Sequence, residues 1–238
     1  MSAQNTLHLM NTSLYTSGEY ASKNPDWHLE HSPWKAAQVR KMLEKQAIKP
    51  SRIAEVGCGA GGILEELRNK LEPSPECVGY EISPHAYKLA QQREATGLHF
   101  CLGTPSLEDG QFDVVMAMDV LEHVEDYLGF IRGLKSLARW KILHIPLDLS
   151  VVSLAKPIYL NMAREHVGHL HYFTRETALA SVEQAGLVVR DWFYTSVEMD
   201  QGVHGRKRLH SLRKAMFRWK PELAVRWLGG FSVLVLAE

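Results

Sequence analysis

Five residues that could cradle a ligand fall within eight positions: Glu55, Gly57, Gly59, Gly61 and Gly62, in the stretch IAEVGCGAGGILEEL. Glycines at this density allow positive φ and let backbone amides approach a ligand closely. Gly57, Gly59 and Gly62 satisfy G-x-G-x-x-G, a turn suited to a dinucleotide, whereas Gly57, Gly59 and Gly61 satisfy G-x-G-x-G, which can cradle another nucleoside ligand. The loop alone does not choose between them. Glu81, 24 residues beyond Gly57 in VGYEIS, stands where a carboxylate accepts from both ribose hydroxyls of either ligand.

Proton-transfer candidates cluster elsewhere. REHVGHLHYFT carries His166, His169 and His171, and a neutral imidazole there can serve as a base or hold backbone carbonyls. His123, in DVLEHV, suits backbone anchoring at a helix entrance; Asp119 of the same stretch can orient a ligand or cap the following helix. No Asp and His cluster at ligand spacing is legible, so a metal-free site is expected.

These residues need a scaffold. Strand-like segments recur at 52–56, 77–82, 98–102, 112–118 and 140–145, with helical patterns between them, including one from Pro84 behind a Ser83 cap. Ser32 and Pro33 predict the cap and first turn of a leading helix. A helix opened by Thr174 and stopped at Gly186 precedes strands at 187–194 and 231–237. Strands alternating with helices predict parallel βαβ units in an open doubly wound α/β sheet that binds ligands at its carboxyl edge.

The bulk composition excludes several classes. With 27 Lys and Arg against 27 Asp and Glu, the chain has no global charge to attract nucleic acid. Cys58, Cys77 and Cys101 form neither a disulfide framework nor a zinc pattern, and Cys77 and Cys101 read as small buried strand residues. The polar opening contains no signal-like apolar segment, and no run spans a membrane, so a soluble cytoplasmic protein is expected. The 238 residues read as one domain: a lid and leading helix at 1–48, a cofactor core at 49–195, a helical basic insertion at 196–229 and a last strand at 230–238.

EVGCGAGG, YEIS and FDVVMAMDVLEHV, at these separations, resemble the class I S-adenosylmethionine-dependent methyltransferases, particularly the small-molecule group that includes ubiquinone-biosynthesis-like enzymes. The resemblance covers about 52–186. It implies a seven-stranded, mostly parallel sheet with an antiparallel last strand, and S-adenosylmethionine as cofactor. By the same resemblance Glu55, Gly57, Cys58, Gly59 and Gly61 surround the methionine end, Glu81 holds the ribose, Ile82 lies against adenine, and Asp119, Val120 and Leu121 line the donor pocket. Many relatives carry an aspartate after the third strand; this chain reads CLGTPSL there, so Thr104, a backbone group or a water takes the adenine contact. The stretch HLHYFT is similar to the His-x-x-Phe-Thr or His-x-His-Phe-Thr common in that group, which makes His169 the first candidate base and His171 the second.

Tyr20, Trp27 and His28 form an aromatic and polar mixture suited to a lid over substrate. The 206–227 segment is basic, and Leu209, Leu212, Met216, Trp219 and Leu223 give it an apolar face interrupted by Pro221. It reads as a cover for the pocket, a clamp on an anionic substrate or, less favoured, a membrane contact. The function expected is methyl transfer to a small-molecule acceptor, on oxygen first. A non-catalytic cofactor-binding protein is the alternative. A nicotinamide oxidoreductase is disfavoured by the absence of a Tyr-x-x-x-Lys pair, and nucleic-acid methylation by the absence of a base-flipping motif after the fourth strand.

Overall fold

A computed structural model describes residues 15, 18, 20, 22, 24–201 and 207–238, with backbone alone at 198 and 207–210. The chain runs through α1 (Ser32–Lys45), β1 (Arg52–Val56), α2 (Gly62–Lys70), β2 (Glu76–Glu81), α3 (Pro84–Gln91), β3 (Leu98–Leu102), β4 (Phe112–Met118), α4 (Tyr127–Leu134) and β5 (Ala138–Pro146). It continues through α5 (Val151–Ala155), α6 (Ile158–Met162), α7 (Arg175–Gln184), β6 (Val189–Thr195), α8 (Val197–Gln201), α9 (Lys207–Trp219), α10 (Pro221–Leu228) and β7 (Ser232–Ala237). Most of the polar opening read as lacking a signal lies outside the described residues.

The described residues build a seven-stranded sheet in the order β3-β2-β1-β4-β5-β7-β6. Strands β1 to β5 pair in parallel, and β7 runs antiparallel to both β5 and β6. The expected doubly wound sheet with an antiparallel last strand is therefore present. Its strands are apolar on both faces because each face carries helices. In β4, Val114 and Met116 pack with Val39, Met42 and Leu64 of α1 and α2, while Val115 and Ala117 pack with Phe130, Ile131 and Val182 of α4 and α7.

Several local expectations need correction. His31, not Ser32, precedes the first turn of α1, because a 3₁₀ turn at Leu29–His31 feeds directly into the helix. Ser83 occupies its cap position, but its side chain makes no capping bond. Thr174 does cap α7, accepting from the Thr177 amide. Cys77 is buried, whereas Cys101 is exposed because β3 is an edge strand.

The basic insertion also folds differently from its apolar pattern. Pro221 divides it, as expected, into α9 and α10. Trp219 is 80% exposed, and Leu212 and Leu223 also face outward. The inward contacts come from Met216, Phe217, Ala224 and Val225, with Phe217 stacked on Phe231 at 5.2 Å. Ion pairs of Arg175 with Glu222 and of Arg226 with Glu176 tie α10 to α7. This segment therefore covers the α7 face of the sheet.

The glycine turn joins β1 to α2, and its members do different work. Gly57, Gly59 and Gly61 all have φ between 56° and 81°. A Cβ on Gly61 would lie 2.5 Å from the Phe100 ring and one on Gly57 2.8 Å from Val120, whereas one on Gly59 would meet nothing nearer than Trp27 at 3.8 Å. Gly61 is thus required by packing and Gly59 by backbone conformation beside open space. In chemical denaturation, Gly61→Ala is expected to cost about 2–4 kcal/mol and Gly59→Ala about 1–2 kcal/mol, since both lose left-handed freedom but Gly61→Ala also overpacks the core. Equal costs would contradict this division.

Candidate active site

The strand order reverses between β1 and β4, and there the carboxyl ends of the strands open a crevice. A cavity of about 330 Å³ occupies it. One wall is the glycine turn. The others come from the carboxyl ends of β2 and β4, the segment preceding α1, and the loop around His169.

Glu81 fixes the first wall. Its carboxylate accepts from the Gly59 amide through Oε2 and from the Ser83 amide through Oε1, each at 2.8 Å. It is 4% exposed. Burial raises its pKa, and the hydrogen bonds from Ser83 and Gly59 oppose that rise. Each oxygen retains acceptor capacity for a hydroxyl donor.

Glu55 ends deeper in the same crevice, and its Oε2 is buried without a hydrogen-bond partner. Burial pushes its pKa up to about 8, against the pull of Lys35. At neutral pH this carboxyl is therefore largely protonated.

Asp119 follows β4 with φ +59° and caps nothing. Lys35 Nζ lies 2.7 Å from its Oδ2, His144 Nδ1–H donates to its Oδ1, and His144 Nε2 reaches Thr195 Oγ1 at 2.8 Å. Burial opposes its ionisation, but His144 and Lys35 outweigh burial and hold Asp119 well below the usual carboxylate range. Asp119 in turn keeps Lys35 charged despite burial.

At the opposite end His169 Nδ1–H donates to Asp148 Oδ2 at 2.7 Å, and His123 Nδ1–H donates to Gly168 O at 3.1 Å. Both Nε2 atoms are thereby left as acceptors. Glu122 is 1% exposed, and burial followed by the charge of Asp119 pushes its pKa far up. Burial and then His169 hold the His123 pKa down to about 4. Glu122, His123 and His169 present one ligand atom each within 4.8 Å of one another, so the cluster not legible in the sequence is formed by folding.

Tyr20, Trp27 and His28 line the cavity, and Tyr15 joins them. Tyr20 and Trp27 ring centres lie 4.8 Å apart, and Tyr15 and Tyr20 5.0 Å apart. Trp27 and His28 both hold left-handed backbone, at φ 48° and 54°. Such strain costs about 1–3 kcal/mol per residue and collects at ligand clamps.

Of the predicted cofactor residues, the cavity wall contains Glu55, Gly57, Cys58, Gly59, Glu81, Ile82, Asp119 and Val120. Gly61 packs on Phe100, Leu121 is fully buried in the core, and Thr104 remains outside the wall. His169 reaches the cavity. His171 does not: its Nε2–H donates to Val124 O at 2.9 Å and Glu125 O at 3.2 Å, a backbone clasp. No described residue of α9 or α10 lines the cavity, so neither the cover nor the anion clamp is placed there.

Lys35, Glu122, His144 and Asp148 were not singled out from sequence. Lys35 alone left a signal, since it shares the helical face of the buried Val39 and Met42. His144 and Asp148 flank the end of β5 and become partners only through tertiary pairing.

The sheet order and its glycine turn define the Rossmann-like class of nucleoside-binding α/β folds. The chain belongs to the methyltransferase domain family, whose model matches residues 28–191. It is 31% identical over 147 residues to a probable chloroplastic tocopherol O-methyltransferase of Oryza sativa subsp. japonica, covering 54% of this chain and 38% of that protein. It is 35% identical over 98 residues to ajmaline N-methyltransferase of Rauvolfia serpentina, covering 38% of this chain and 33% of that one. The chain thus spans well under half the length of these relatives. The fold also matches magnesium protoporphyrin IX methyltransferase from Synechocystis PCC 6803, solved with bound SAH, at TM-score 0.61 and 16% identity, over 95% of this chain and 96% of that one. Among the described residues no helix is long and apolar enough to cross a membrane.

Burial of Glu55 has a direct consequence for stability. Its folded-state pKa exceeds its ordinary value of 4.5, so the unfolded chain ionises first and stability falls as pH rises from about 4.5 to about 8. Glu55→Gln lacks this titration. Urea denaturation of both proteins from pH 5 to 9 is expected to show the variant gaining on the wild type up to pH 8, then a constant difference. Parallel profiles would contradict the burial of a neutral Glu55.

Proposed function

We propose that this chain transfers a methyl group from S-adenosylmethionine to a hydroxyl of a small-molecule acceptor. The observation that carries the reading is a single cavity with two chemically different ends: Glu81 and Gly59 at one, and Nε2 of His169, backed by Asp148, at the other. The residues fit the cofactor. A Cβ on Gly59 would project toward open cavity, and the orphaned Glu55 Oε2 offers a buried partner for an ammonium group.

The cofactor supplies a methyl group on a sulfonium, which carries its own activation. Glu81 receives the ribose hydroxyls, Gly57, Cys58 and Gly59 admit the donor to the backbone, and Ile82 and Val120 flank it. Glu55 faces the methionine end, where a bound ammonium would favour its ionised form and release a proton. Asp119, fixed by Lys35 and His144, lends negative potential to the same region. Tyr20, Trp27 and His28 act as the lid, excluding water and orienting the acceptor.

With the donor held by Glu81, Glu55 and the glycine turn, its methyl carbon would pass to an acceptor oxygen as the C–S bond pair stays with sulfur, and the hydroxyl proton would leave to Nε2 of His169. Asp148 holds His169 Nδ1 protonated, which keeps Nε2 available for that proton. Proximity and alignment supply the rest of the acceleration. No role for nucleic acid or a membrane enters this reading.

Calorimetric titration is expected to show binding of S-adenosylmethionine and S-adenosylhomocysteine and none of NAD. Glu81→Ala should weaken that binding by about 1–3 kcal/mol, the worth of charge-assisted hydrogen bonds. NAD binding without S-adenosylhomocysteine binding would overturn the reading. His169→Ala should lower turnover by about 10²–10⁴-fold while leaving cofactor affinity nearly constant. Parallel loss of stability, cofactor binding and turnover would assign His169 a structural role.

A further inference from the structure

The acceptor end of the cavity contains more lone pairs than a base requires. Three side chains converge there with one ligand atom each, all within 4.8 Å of one another: Glu122, His123 and His169. The His123 and His169 rings meet edge to face, with centres 5.0 Å apart and planes at 79°.

What surrounds these atoms fixes their chemistry. Asp148 binds Nδ1 of His169 at 2.7 Å and the Gly168 carbonyl binds Nδ1 of His123 at 3.1 Å. Each partner is an acceptor, so each Nδ1 carries the hydrogen and each Nε2 presents a lone pair. Glu122 contributes a third acceptor: its Oε2 is buried with no hydrogen-bond partner. His123 Nε2 and Glu122 Oε1 are 3.8 Å apart, beyond hydrogen-bond reach, so no proton bridges that pair in this geometry. No hydrogen bond joins the three groups to one another. Leaving a buried acceptor such as Glu122 Oε2 unsatisfied opposes stability.

We propose that Glu122, His123 and His169 bind one divalent transition-metal ion, of the class of Zn²⁺, Co²⁺ or Mn²⁺, at the acceptor end of the cavity. Two imidazoles and one carboxylate form a donor set for such ions that leaves coordination positions open. The outer partners match this use. Metal-bound imidazoles characteristically donate their other N–H to a carboxylate or a backbone carbonyl, and Asp148 and Gly168 supply one of each. Bonds of about 2.0–2.2 Å require the three donors to draw in from their present separation.

The inference deepens the methyl-transfer reading and rests on it only for what the open positions receive. An acceptor hydroxyl, or a pair of adjacent hydroxyls, bound there is acidified by the ion and loses its proton to solvent. His169 then acts as a ligand. In the absence of the ion it remains the base described above, so His169→Ala impairs turnover in either case.

Ion binding is tested without turnover. Full-length protein stripped with chelator and dialysed is titrated with Co²⁺, followed by visible absorption, and with Zn²⁺ by calorimetry. One ion per chain is expected, with affinity lowered about 100-fold or more by Glu122→Gln or His169→Ala. Asp148→Asn should cost about 10–100-fold through loss of orientation alone, and carries the test should Glu122→Gln not fold. The second candidate group, His28, Glu30 and His31 near the mouth, provides the control: the double variant His28→Ala, His31→Ala should retain the ion. Absence of stoichiometric binding overturns the proposal. So does binding that survives Glu122→Gln and His169→Ala, or that disappears in the control. Ion binding by a protein that transfers no methyl group would overturn the methyl-transfer reading and leave this site standing.

Discussion

The Glu81 carboxylate joins two turns whose bonded amides lie 24 residues apart in sequence: the glycine turn, through Gly59, and the entrance to α3, through Ser83. Both bonds are charge-assisted when Glu81 is ionised, and they offset part of the cost of burying the group. The remainder of the site depends on this link. Gly57 and Cys58 complete it by donating to the Tyr80 carbonyl at 2.8 and 3.1 Å, which clamps the turn to β2. With the turn held this way, Gly59 borders open cavity and α2 begins beneath it.

Around that clamp the fold gathers acidic groups at one edge. Glu55 and Glu81 lie on β1 and β2, and Asp119 and Glu122 follow β4. Asp119 has a direct ion pair with Lys35, whereas Glu55 and Glu122 each retain a buried oxygen without a hydrogen-bond partner. Unsatisfied carboxyl oxygens oppose stability, and the two apolar layers on opposite faces of the sheet outweigh them. Such a site is suited to partners that bring donors and positive charge: ribose hydroxyls and an ammonium at one end, an acidic hydroxyl or a cation at the other. The left-handed Trp27 and His28 belong to the same pattern, since strain is tolerated where the aromatic cluster holds it in place.

The sheet was legible because its signals are local. Continuous apolar strands, helical spacing and a dense glycine turn each reflect one short segment. Their alternation restricts the topology to a few arrangements. Glu81 and the Tyr20, Trp27 and His28 segment reached the cavity for the same reason, as they sit at fixed offsets from elements the pattern defines. What failed was decided across the chain. Gly61 satisfies a ligand-loop motif yet is small because Phe100 arrives from β3. His171 shares a stretch with His169, but its ring turns toward carbonyls of the loop before α4. The 206–227 stripe predicted an inward face, yet only Met216 of its described apolar positions packs on the core, because Phe217, Ala224 and Val225 dock instead. Lys35 and Asp148 matter through partners 84 and 21 residues away, a distance that no periodicity records.

The central claim is that the two ends of this cavity serve one reaction. The most direct measurement supplies S-adenosylmethionine labelled in its methyl group, together with fractionated small metabolites, to the wild-type protein and to Glu81→Ala. The account predicts label in an acceptor fraction as an alkali-stable O-methyl group, formed in step with S-adenosylhomocysteine and greatly diminished in the variant. Tight donor binding with no label leaving the donor, across fractions that include hydroxyl-bearing metabolites and with divalent ions supplied, would contradict it and identify a cofactor-binding protein without catalysis.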